Sequence, residues 1–209
     1  MKVFGLLAFY ALSLFIIGFL MLDIETMIMA ELANQVEIEI PENVLLEMLE
    51  EMKYWNKFSI FFTFFILSIK CFLMSLVLYA GLFFANSHQG VKLGSLFKVA
   101  VYAESIIVLA GMVKVAFGAL SDFTYTEFSL FYPLSVLSFL NPEAIQPLCY
   151  YPLQLLNVFE IIYIFLLIYF FSQEIEIKKT ESSKVVLGSY LFSMSFWLIL
   201  ILFLTLNFT

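Results

Sequence analysis

The chain has 209 residues, of which 63% are hydrophobic and 13% charged, with 26 phenylalanines and a mean hydropathy of +1.02. Soluble domains are roughly half apolar and a quarter charged, so this composition excludes an ordinary soluble fold and predicts an all-α polytopic membrane protein, residues 1–209 forming one domain. A formal charge of −7 with no arginine excludes a phosphate-backbone surface, which needs clustered Lys and Arg, so no nucleic-acid partner is expected.

Five apolar runs, about residues 3–22, 58–86, 97–120, 153–171 and 185–207, dominate the chain. Hydrocarbon about 30 Å thick needs roughly 20 helical residues, so each run predicts a spanning helix. Lys2 followed by the first run also fits a cleaved signal peptide. That run is longer than a signal core of roughly 7 to 15 residues, and no small-x-small site follows Leu22, so it is expected to stay as an anchor.

Between the first two runs lies an acidic loop, residues 23–57. Asp23, Glu25, Glu31, Glu37, Glu39, Glu42, Glu47, Glu50 and Glu51 crowd into it. Pro41 at a first helical turn, then Val44, Leu45, Met48, Leu49 and Met52, predict a short amphipathic helix along the membrane face. Tyr54 and Trp55 precede the second span, where amphipathic rings favour the interface. The loop reads as a solvated acidic cap. A cation loop needs close carboxylates around a Gly turn, and this segment has no glycine.

The third and fourth spans are separated by residues 121–152, where Pro133, Pro142, Pro147 and Pro152 each remove a backbone donor and exclude one long helix. Short broken helices at the outer interface are expected, anchored by Tyr132, Tyr150 and Tyr151. Re-entry into the membrane is the alternative, because irregular backbone is tolerated where protein buries it.

Topology follows from the lysines. Lys2, Lys92, Lys98, Lys178, Lys179 and Lys184 fall on one side of a five-pass chain, while residues 23–57 and 121–152 hold twelve of the seventeen acids and, of the lysines, Lys53 and Lys57. By the positive-inside bias the N-terminus is cytoplasmic and the C-terminus external.

Ionisable residues inside spans are costly, which makes Lys70, Glu104, Lys114 and Glu160 the candidate functional residues. Glu104, Gly111, Lys114 and Gly118 share a face of the third span, and Asn157 and Glu160 a face of the fourth. Lys114 lies ~9 Å and Glu160 ~10 Å below the outer ends of their spans, matched heights that predict an ion pair. Lys70, near mid-membrane, then takes Glu104 or Glu160 as partner. Static pairing that fixes helix register is the expected role, and a proton or ion relay is the alternative.

Enzyme chemistry finds no constellation. His88 sits in the turn NSHQG without a neighbouring acid or cysteine, Cys71 and Cys149 are in no metal-ligand spacing, and Ser189, Ser193 and Ser195 suit helix approach or back-bonding. No catalytic residue, cofactor or metal is assigned.

The runs GVKLGSLFKVAVYAESIIVL, FYPLSVLSFLNPE and YYPLQLLNVFEIIYIFLLIYFF resemble the Yip1 domain family over about residues 58–208. The resemblance implies five spans with a cytoplasmic N-terminus and an external or lumenal C-terminus. Eukaryotic members act in vesicle traffic through a cytoplasmic N-terminal region that contacts small GTPases. Only Met1 and Lys2 precede the first span here, so that role is not expected and a prokaryotic member fits better. The resulting expectation is a non-catalytic scaffold or partner-binding subunit that meets lipids, other membrane proteins or a second copy of itself. A small transporter, channel or lipid-handling protein is the alternative.

Overall fold

The structure is a computed structural model that describes residues 2–34, 42–85, 90–141 and 144–208. Pro41, Glu37, Glu39, His88 and Pro142, singled out above, lie outside the described residues.

Among the described residues nine α-helices follow one another: α1 (Lys2–Met21), α2 (Ile24–Asn34), α3 (Glu42–Asn56), α4 (Ser59–Phe84), α5 (Leu93–Leu120), α6 (Tyr125–Leu130), α7 (Tyr150–Leu155), α8 (Val158–Ile175) and α9 (Lys179–Phe208). Among the described residues there is no strand, only an isolated bridge between Ser135 and Asn157. Helices α1, α4, α5, α8 and α9 are long and apolar enough to cross a membrane. They overlap the five expected runs, with α5 and α9 opening four and six residues early and α8 five residues late. The fourth run was expected to open at Leu153, but the chain breaks at Leu156 and Asn157 caps α8, its side-chain oxygen accepting from the Glu160 amide at 2.8 Å.

Helix α5 is the axis. Its most apolar window is 44% buried, against 28% or less in the other four, and it packs against α1, α4 and α8, while α9 closes against α4 and α8. One core cluster lies between α1, α4 and α5, around Leu7, Tyr10, Ala11, Leu67, Cys71 and Val101. The other joins α4, α5, α8 and α9 around Leu78, Leu82, Leu96, Leu167, Phe171 and Val186. Glycines permit the closest approaches. A Cβ on Gly81 would lie 2.8 Å from Ser189 Cβ, and one on Gly118 would lie 2.5 Å from the Phe128 ring.

Side-chain ties fix the vertical register. Lys98 Nζ meets Glu174 Oε2 at 2.6 Å and Tyr102 packs on Phe170 with ring centroids 5.5 Å apart, so each step of four along α5 matches four back along α8. Ser182 donates to the Ile168 carbonyl at 2.8 Å and the Tyr190 hydroxyl to Glu160, which sets α9 against α8 in the same way. Past the level of Val158, α5 continues for about 9 Å and α9 for about 24 Å.

The proline-bearing segment fills the space this leaves above α8, as the expected broken helices: α6, 3-10 turns at Leu137–Phe139 and Pro147–Cys149, and α7. It is set into the bundle below the tip of α9, not laid across its top as a purely surface element would be. The Val136 amide donates to the Leu156 carbonyl (2.9 Å), Val158 to Leu134 (3.2 Å), Gln154 to Leu130 (2.7 Å), and the Trp197 indole to the Tyr151 hydroxyl (2.6 Å). These bonds satisfy much of the backbone that a chain sunk among apolar helices must pair.

The acidic segment holds two helices where one was expected. α3 matches the amphipathic reading, and α2 is additional. Asp23 starts α2, its carboxylate accepting from the Thr26 amide at 3.1 Å, and Glu31 at its far end reaches α6, taking the Thr126 amide at 2.9 Å and the Thr126 hydroxyl. Those two bonds hold the Glu31 carboxyl below its ordinary value, because they favour the charged form.

Candidate functional site

Lys70, Glu104 and Glu160 converge inside the ring formed by α4, α5, α8 and α9. Glu104 is completely buried, and its Oε1 accepts from Lys70 Nζ at 2.6 Å. The lysine side chain keeps 43% of its surface exposed, and its ammonium stands 5.6 Å from the centre of the Tyr163 ring. Glu160 takes its hydrogen bond from the Tyr190 hydroxyl on α9. Tyr132, on the sunken segment, is close by: burial, with the Glu160 and Glu104 carboxylates nearby, pushes its phenol up to about 12.

Two polar atoms in this interior have no hydrogen-bond partner among the described residues: Glu104 Oε2 and the Tyr163 hydroxyl. Orphaned buried carboxylate oxygen is expensive, so it marks Glu104 as the most constrained of the candidates. The site carries two carboxyl groups, Glu104 and Glu160, around one ammonium, Lys70.

The expected Lys114–Glu160 pair does not form. The α5/α8 register puts Lys114 level with residue 158, about 3 Å along the axis from Glu160, and the two side chains take different partners. Phe128 seats on Gly118 and brings α6 alongside α5, whereupon Lys114 Nζ donates to the Ser129 carbonyl at 3.3 Å and lies 4.9 Å from the Phe128 ring centre. Glu160 meanwhile turns to Tyr190. Of the two partners left open for Lys70, the structure selects Glu104. Asn157 is a helix cap, its amide nitrogen donating to the Gln154 and Leu155 carbonyls. Ser189 bonds back to the Val185 carbonyl at 2.7 Å while meeting Gly81, so it serves both of the roles expected of it.

The site residues that sequence reasoning missed are aromatic. Tyr163, Tyr190 and Tyr132 were indistinguishable from interfacial anchors or core rings in an aromatic-rich chain. The one available signal was spacing: Tyr163 is three residues past Glu160 on α8 and therefore on its face.

Surface cavities among the described residues include one among α2, α3 and α4, one among α1, α2 and α4, and one between α4 and α9. None of the five candidate residues lines any of them. Among the described residues no three His, Cys, Asp or Glu side chains are grouped to hold a metal ion, and both cysteines are free. No family model, curated protein or solved structure matches the chain.

Proposed function

We propose that this chain is a five-span integral membrane protein of a prokaryotic plasma membrane, Yip1-like, with its N-terminus cytoplasmic and its C-terminus external, acting as a non-catalytic scaffold or partner-binding subunit. One observation carries the reading: the charged and polar groups at membrane depth are used to tie elements to one another. Lys70 joins α4 to α5, Glu160 joins α8 to α9, and Lys114 joins α5 to the sunken segment. Such ties fix helix register in lipid, where water does not compete for them. The lysine distribution supports the orientation, since Lys98, Lys178, Lys179 and Lys184 lie at the ends of α5 and α9 that share one side of the bundle.

The test has two arms. Cys149 is exposed on the outer side and Cys71 is buried in the bundle, so a membrane-impermeant maleimide applied to intact cells should label Cys149 alone. Labelling only after lysis would reverse the orientation. Proteoliposomes loaded with a pH-sensitive or ion-sensitive dye should show no flux above that of empty vesicles.

A transporter reading is favoured by a different observation, the excess of carboxyl over ammonium in the interior together with the orphaned Glu104 oxygen. That arrangement gives a proton a place to reside. Flux that disappears in Glu104→Gln would establish it in place of the scaffold.

A further inference from the structure

The cavity between α4 and α9 has a volume of about 770 Å³ and differs from the polar interior in every respect. Its floor is the contact of Gly81 with Ser189, and its walls are the rings of Phe84, Phe192 and Phe196, which are 83%, 78% and 66% exposed. Gly188 also lines it and has open space where a side chain would stand. The one charge on the lining, Lys184, is at its inner end.

We infer that this groove seats one acyl chain of an anionic phospholipid from the cytoplasmic leaflet, with the Lys184 ammonium on its phosphate. The inference rests on the membrane orientation proposed above. Lys184 and Phe196 are separated by about 18 Å along α9, close to half of a hydrocarbon core about 30 Å thick, so the groove is one leaflet deep. Lys178 and Lys179, at the same end of α9, add to the field that an anionic headgroup meets. A second copy of the chain fits less well. Close helix packing in lipid favours small residues over the whole contact, whereas here bulky rings stand on both sides of a narrow floor, and a two-fold contact would bring two Lys184 side chains together. A thin flexible chain enters between such rings without moving them.

The experiment places the full chain in nanodiscs of mixed phosphatidylcholine and phosphatidylglycerol, exchanges it into detergent, and identifies retained lipid by native mass spectrometry. The parent should keep one phosphatidylglycerol, enriched over its share in the disc. Gly188→Leu, which puts a side chain into the groove from a position whose Cβ meets nothing within 4 Å, should release it. Lys184→Gln should keep a lipid and lose about fivefold in headgroup preference, the factor corresponding to about 1 kcal/mol per lysine at a membrane surface. Retention that is the same for both headgroups and all variants would overturn the inference. So would a Gly188→Cys disulfide dimer, in a Cys149→Ser background, forming in native membranes, since a second copy would then occupy the groove. Failure of the parent to enter discs, or labelling of Cys149 from the wrong side, would count against the membrane reading itself and is read separately.

Discussion

Replacing Lys70 with Met should cost the bundle about 2 kcal/mol, a shift of roughly 30-fold in the unfolding equilibrium. Breaking a fully buried pair by removing one partner costs about 3 to 5 kcal/mol, because the remaining charge is stranded, and the lower figure follows from the half-exposed lysine. Glu104→Met should cost less, about 1 kcal/mol, since the lysine left behind has an exposed side toward which its ammonium can turn. The double variant Lys70→Met/Glu104→Met should return to within about 1 kcal/mol of the parent, because replacing an ion pair with apolar side chains of similar volume is often neutral. The cycle therefore predicts a coupling of about 2 to 3 kcal/mol. Reversible unfolding in mixed micelles, with a denaturing detergent titrated into a mild one, measures all four proteins. Two single variants as stable as the parent, or a double variant that loses the sum of the two, would refute the argument that this pair organises the site.

Other elements give predictions of their own. Lys114→Met loses a 3.3 Å bond to a carbonyl and a ring contact, so it should cost no more than about 1 kcal/mol, visibly less than Lys70→Met in the same assay. Gly81→Ala puts a methyl 2.8 Å from Ser189 Cβ and should cost about 1 to 3 kcal/mol by forcing α4 from α9, whereas Gly188→Ala meets nothing and should be neutral or better. The Glu31–Thr126 clasp should open in acid. Its folded-state value lies below the ordinary 4.5, so its contribution is complete above 4.5 and is lost as the pH falls through the lower folded value. Spin labels at Met29 and Tyr125 should separate as the pH falls through that range, and in Thr126→Val their distance should no longer depend on pH.

The five long helices were legible because lipid imposes one crude rule, about 20 apolar residues per crossing, and composition alone satisfies or fails it. Their ends were less so. α5 begins at Leu93 and α9 at Lys179, several residues before the apolar runs, because a helix continues to where its backbone turns extended, at Lys92 for α5, and through polar first turns such as that of α9, whose charges reach the surface. α8 begins late for the opposite reason: Pro152 lies in α7, and Asn157 offers a better cap than any residue before it. α2 went unread because its charges, Glu25 and Glu31, are all acidic, so DIETMIMAELAN looks like a continuation of the solvated loop, and its N-terminal signal is the single Asp23–Thr26 turn.

The candidate site divides along the same line, between position along a helix axis and direction around it. Counting rise from Leu153 set Glu160 ~10 Å inside its span, but α8 opens at Val158, so Glu160 lies in the first turn of α8 and the observed register sets Lys114 level with Val158, about 3 Å along the axis from Glu160. Azimuth depends on which neighbour occupies which side, and that neighbour was an irregular segment whose path no periodicity encodes. With α6 against Gly118, the Ser129 carbonyl comes within reach of Lys114, which takes it. Glu160 pairs with Tyr190 and Lys70 with Glu104. The seat of Phe128 on Gly118 thus sets the Lys114 tie. A bulky residue at Gly118 should unseat α6 and weaken that tie, visible as a loss of stability like that of Lys114→Met in the same unfolding assay.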